Sequence, residues 1–266
     1  MYQMSHLGFD DNYKLDRVEQ ILREDGMDIL NDEMLSPIFK EDNRTSNTLP
    51  AFVRSEVKFG EILGTGAFGV VREVKIIQLA DETESDSKTC SNEHVKSKSD
   101  LISMFAGGRQ DSEKSFSSSA SRDLMSAMCV RHGESRYAAK YLMVEDSNED
   151  QQARARVDLA IEVNYLKALS HPHIVKIRGV MKTENPFHPI FFFLMDRLYG
   201  TLHDRIIEWD ERKRRKSLDL THIFLKTFEA PKYQNWKNEF LKERLFIAND
   251  IASAIGYLHS RHVIHR

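Results

Sequence analysis

Between Val57 and Ile77 the chain reads VKFGEILGTGAFGVVREVKII, and no other stretch restricts the fold so sharply. Val57 and Phe59 alternate with polar residues, three glycines follow at Gly64, Gly66 and Gly69, and a β-branched run then extends from Val70 to Ile77. The pattern predicts a strand, a glycine-rich turn and a second strand. The same glycine spacing opens dinucleotide sites, but there the last glycine begins a helix. VVREVKII is a poor helix start and a good strand. A glycine turn between antiparallel strands can lie over a polyphosphate, because no Cβ keeps the backbone away. The plainer reading is a flexible hairpin tip, and three glycines at this spacing weigh against it.

Two charges further on are out of place. Lys140 stands inside the apolar strand YAAKYLM, where alternation puts it on the face of Ala138, with Tyr137, Ala139 and Tyr141 on the other. A lysine there is costly to bury unless paired; an edge lysine reaching to water is the plainer alternative. Glu162 falls among Leu159, Leu166 and Leu169 at helical spacing, so a carboxylate lies within an apolar stripe. Each charge alone is a misfit. Together they are a strand-to-helix ion pair that would hold an ammonium where phosphate oxygens can meet it.

The remaining segments fall into place around these. Residues 1–53 form a polar N-terminal extension, with Leu15, Val18 and Leu22 spaced for one surface helix before Gly26. From Asp81 to Arg136 there are 14 serines in 56 residues, a composition too poor in apolar surface to order itself, so a disordered insertion is expected at about 79–135. Its SFSSSASRD stretch reads as a solvated linker or a phosphorylation target. HIVKIRGVM and PIFFFLMDRL are two further strands, and a box at Ser147 to Asp150 would cap the helix carrying Glu162. Residues 210–238 are a second, charged insertion, whose ERKRRKS cluster reads as a solvated loop, a nuclear address or a basic context for Ser217. Ala248, Ile251, Ile255 and Leu258 then mark a core helix.

Composition narrows the function. Lys and Arg total 38 against 41 Asp and Glu, a net charge of −3, which argues against a dedicated nucleic-acid binder. The longest apolar run, Ile190 to Met195, is far short of the roughly 20 residues that a membrane helix needs. Neither nucleic acid nor membrane is therefore an expected partner. Only two cysteines, Cys90 and Cys129, fit a reduced intracellular protein, cytoplasmic or nuclear.

The glycine turn LGTGAFGVV, the lysine of YAAK, the glutamate of DLAIEVNYLKALSHPHIV and the closing HVIHR occur in the order found in eukaryotic protein kinases, and from Val57 to Arg266 the chain resembles that family. The resemblance implies an α+β fold: a small lobe of a five-stranded antiparallel sheet with one main helix, followed by the first helices of a truncated helical lobe, over residues 54–266. It implies ATP as the nucleotide, bound by Leu63, Gly64, Thr65, Gly66, Ala67, Phe68 and Gly69, with Val71 and Ala138 on the adenine. Lys140 would contact the α- and β-phosphates and pair with Glu162; these two are the expected catalytic residues. Met195 would guard the deep pocket, and Asp196 and Leu198 would offer backbone groups to the adenine edge. His173 stands where the family commonly has asparagine.

Ile264-His265-Arg266 resembles the start of the family's catalytic loop, where the aspartate base follows and a metal-binding asparagine comes later. The expectation is an incomplete fragment without those groups, so that no metal ligand is assigned and Mg²⁺ belongs to a complete protein. The implied activity is phosphoryl transfer from ATP to a protein hydroxyl, serine or threonine favoured. The alternative is a catalytically inactive kinase-like module that binds nucleotide or a partner.

Overall fold

Phe192, Phe193 and Leu194 are each fully buried, which accounts for the middle of the sheet. An apolar run without alternation suits a strand covered on both faces, and each such side chain contributes roughly 1.5–3 kcal/mol of burial. The structure, a computed structural model, describes residues 22, 26–34, 49–66, 69–79, 118–143, 149–223 and 230–264, with the backbone alone at 30, 32–34, 216–223 and 230–238. The chain divides into two units: Met1–Ala168 with Lys176–Met195, and Leu169–Val175 with Asp196–Arg266.

In the first unit, β1 (Ala51–Phe52), β2 (Val57–Thr65), β3 (Gly69–Ile77), β6 (Tyr137–Leu142), β7 (Ile177–Met181) and β8 (Phe192–Asp196) form one sheet, ordered β1-β7-β8-β6-β3-β2. Two-residue strands β4 (Val130–Arg131) and β5 (Glu134–Ser135) make a separate hairpin. Its turn residues His132 and Gly133 both have positive φ, as a tight two-residue hairpin requires. The α+β architecture agrees with the expectation, and the glycine-rich stretch is indeed a strand-turn-strand. Among the described residues, however, the sheet has six strands rather than five. The sixth, β1, runs parallel to β7 and inserts the fully buried Phe52, so residues expected in the polar extension contribute to the core.

Helix α3 (Glu149–Ala168) is buried on two sides. Ala155, Leu159 and Val163 face the core shared with Tyr137, Ala139 and Phe192, and Leu166 packs against it. Ala153, Val157 and Ala160 form a second row with Leu22 and Phe187. Leu22 is therefore a packed residue rather than part of a frayed surface helix; helix α1 (Met27–Met34) follows it. Leu15, Val18 and the Ser147 cap lie outside the described residues.

The serine-rich segment also departs from expectation. Helix α2 (Ser118–Ala127) and the β4–β5 hairpin are folded, so a disordered stretch through residue 135 is not what the chain forms. Met125 and Cys129, spaced by four, are buried in the main core. Burial pushes the Cys129 thiol up to about 11, and it donates to the Val74 carbonyl.

In the second unit the charged stretch expected as a loop at 210–238 falls largely in two helices, α4 (Leu202–Ile223) and α5 (Ala230–Ser260). Arginines of the basic cluster are spent within the unit: Arg212 pairs with Glu208 and Glu243, and Arg215 with Glu211. Trp209 is buried beside Phe240, with the Arg244 guanidinium over both rings. The loop Leu169–Val175 packs on α5, where His171 stacks on Tyr257 and His173 meets Asp250 at 3.3 Å. Ile251 and Ile255, expected in a core helix, are both 43% exposed.

Candidate functional site

The β3–β6 ladder sets the site. Gly69 pairs with Leu142 and Val71 with Lys140, so the strand leaving the glycine turn lies directly beside the lysine. A Cβ on Gly69 would stand 3.3 Å from the Tyr141 carbonyl oxygen and 3.5 Å from Lys140 Cε. The first distance is tight for a side chain and the second an ordinary contact, so Gly69 eases the approach to the β6 backbone while the lysine stem lies alongside. Gly64, Thr65 and Gly66 are exposed, and the Gly66 N–H donates to the Gly69 carbonyl at 2.7 Å to close the turn. Leu63 is 38% exposed at its base. Ala67 and Phe68 lie outside the described residues.

Lys140 Nζ donates to both carboxylate oxygens of Glu162, at 2.7 and 2.6 Å. The sequence-predicted pair is therefore formed, between β6 and α3. Its side chains are 29% and 38% exposed, which decides its purpose. A pair this open to water stabilises a fold by about 0–1 kcal/mol, so its geometry matters more for what the ammonium can meet than for holding the helix.

The adenine-side residues are placed less uniformly. Ala138 is buried, Val71 half-buried, and Met195 packs at the edge of the main core. Asp196 closes β8 and belongs to the second unit, as does Leu198, which is 69% exposed. His265 and Arg266 lie outside the described residues. Phe59, which the sequence marks only as a strand residue, stacks on Tyr141 at 5.5 Å and meets Phe192 edge-on, tying β2 to β6 and β8. Its alternation with Val57 was the available signal.

The residues present suit a nucleotide polyphosphate: an ammonium held at one position, a glycine turn beside it, and exposed backbone at the tip. They do not supply a metal centre, since no cluster of three His, Cys, Asp or Glu side chains able to hold a cation occurs among the described residues. Among those residues, too, no helix is long and apolar enough to cross a membrane.

Comparison with known proteins gives one family match. A family model described as protein tyrosine and serine/threonine kinase matches residues 125–266. No curated protein matches the chain. The matched stretch begins within α2 and takes in Lys140 and Glu162; the glycine turn lies before it and is brought to it by the β3–β6 register. With more than half its length matched, this chain belongs to the protein tyrosine and serine/threonine kinase family.

Proposed function

We propose that this protein binds ATP in the first unit and acts in phosphoryl transfer to a protein hydroxyl, with serine and threonine favoured over tyrosine. The observation that carries the reading is the bidentate Lys140–Glu162 pair directly beside the glycine turn. ATP supplies the phosphoryl group. Gly64, Gly66 and Gly69 would present backbone to its phosphates, with Leu63, Thr65, Ala67 and Phe68 completing the turn. Lys140 would neutralise α- and β-phosphate charge, and Glu162 would hold the ammonium in place. Val71, Ala138 and Met195, all in the first unit, would pack against the base. The proton acceptor and Mg²⁺ ligands, which the family resemblance places after Ile-His-Arg, are assigned to no residue here.

The partners on this reading are ATP and a protein acceptor rather than nucleic acid or a membrane, in keeping with the net charge of −3. A reducing compartment, cytoplasmic or nuclear, suits the free, buried Cys129.

Thermal denaturation with and without ATP and Mg²⁺ tests the reading. At 100 times its Kd a ligand stabilises by about 2.7 kcal/mol, so the wild-type transition should rise by about 5–10 °C. Lys140→Met should melt near the wild-type temperature without nucleotide and lose most of that rise. An equal rise in both proteins, or none in the wild type, would overturn it.

A further inference from the structure

The ordered end of the serine-rich segment has no part in the mechanism above, yet it is fastened to the strands that carry the glycine turn. Three of its side chains bond to β3: Ser126 Oγ donates to the Ile77 carbonyl at 2.6 Å, Cys129 Sγ to the Val74 carbonyl at 3.4 Å, and Ser135 Oγ to Glu73 Oε1 at 2.8 Å. A fourth, Arg122, pairs with Glu56 immediately before β2 and lies over the Phe52 ring. Ser135 and Glu56 are 4% and 3% exposed, so the bonds to Glu73 and Arg122 each have one buried end.

Glu73 has a second use. Its other oxygen, Oε2, faces the Glu61 N–H on β2 at 3.5 Å, and its neighbour Arg72 donates Nε–H to the Gly60 carbonyl at 2.9 Å. Both contacts fall where the β2–β3 register slips, between Phe59 and Ile62. A slipped ladder lacks some of its regular hydrogen bonds, so side chains reaching across set how the strand leaves it. β2 is an edge strand with β3 as its one sheet neighbour, and beyond the slip it runs out exposed to Gly66. The path of the glycine turn therefore depends on Arg72 and Glu73, and Glu73 depends in turn on Ser135.

We propose that α2 and the β4–β5 hairpin form a brace that fixes the glycine turn, with Ser135 and Glu73 as its positioning residues. The proposal deepens the nucleotide reading and rests on it. Neither residue touches ATP; each acts by holding the β2 backbone from which Gly64 and Gly66 are presented. Long insertions between strands are ordinarily only tolerated, whereas this one returns to grip the strand it interrupts.

The test uses the whole chain and two readouts, hydrogen exchange of the backbone amides at 60–66 and ATP affinity. A hydrogen bond to a charged group is worth at least about a factor of ten in such an opening equilibrium. Ser135→Ala should speed exchange at 60–66 about tenfold, leave the amides of α4 and α5 unchanged, and weaken ATP binding about three- to tenfold. Ser135→Thr, which keeps the hydroxyl, should restore both. Glu73→Gln, which keeps the shape and one acceptor oxygen, should shift both in the same direction and decides the matter if Ser135→Ala loses protection throughout. Wild-type exchange at 60–66 in Ser135→Ala, or in Glu73→Gln where that variant decides, would overturn the brace. A wild-type chain that fails to bind ATP would defeat the nucleotide reading instead, and the exchange measurement would still decide whether the brace exists.

Discussion

Gly179 has no room for a side chain. A Cβ there would lie 2.9 Å from the Pro50 carbonyl oxygen and 2.8 Å from the fully buried Phe52 ring, on the strand that receives β1. Neither neighbour is the free end of a flexible chain, so the backbone must move. Gly179→Ala should destabilise the first unit by about 1–3 kcal/mol, read as a lowered denaturation midpoint; an unchanged midpoint would mean that β1 does not pair as described. At this scale the sequence is uneven evidence. Lys140 and Glu162 were legible because a charge in an apolar setting is costly alone, and cost points to a partner. Gly179 was not, since a glycine within IRGVM carries no sign of what approaches it from more than a hundred residues away. Ser135 and Glu73 were hidden for the opposite reason: a serine in a serine-rich segment and a glutamate on a strand both look ordinary.

Among the elements, α4 shows how a helix start controls a charged segment. Thr201 Oγ1 accepts from the Asp204 N–H, and the Asp204 carboxylate accepts in return from the Thr201 N–H and hydroxyl. This reciprocal cap satisfies groups that a helix end leaves open. The Thr201 hydroxyl and N–H hold the Asp204 carboxyl below its usual range, and the Arg205 guanidinium does the same for Glu208. A folded-state value below the unfolded one means that the stabilising charge is present above about pH 4 and is lost as the pH falls through the lower folded value. Followed by NMR, the Asp204 carboxyl should titrate below an unstructured aspartate, and Thr201→Ala should return it towards that value. Titration at or above the ordinary position in the wild type would contradict the cap. GTLHDRIIEW reads as a short helix, but its continuation over 210–223 escaped a reading based on charge density, because basic residues in a row suggest a solvated loop until their i,i+4 glutamates are counted. The same holds for α2, where Met125 and Cys129 at helical spacing were outweighed by the serines around them. β8, with its uninterrupted apolar run, and the glycine hairpin were legible because their patterns admit few alternatives.

Over the whole molecule, two units divide the chemistry. The first holds a six-stranded sheet, the Lys140–Glu162 pair and the turn beside it; the second holds α4, α5 and the histidine-bearing loop that packs on α5. The α+β class and the order of the main strands could be read from the sequence, because each strand announces itself locally. The parallel edge strand and the packing of Leu22 on α3 could not, since both join segments far apart in the chain through a few apolar contacts. The central claim is that Lys140 is placed to meet phosphate, and calorimetric titration of ATP against adenosine tests it most directly. A charge-assisted contact contributes about 1.5–3 kcal/mol, which is roughly a 10- to 150-fold preference. The account predicts that the wild-type chain prefers ATP to adenosine by at least that factor, and that Lys140→Met loses the preference while binding adenosine as before. A preference for ATP that survives Lys140→Met would contradict it.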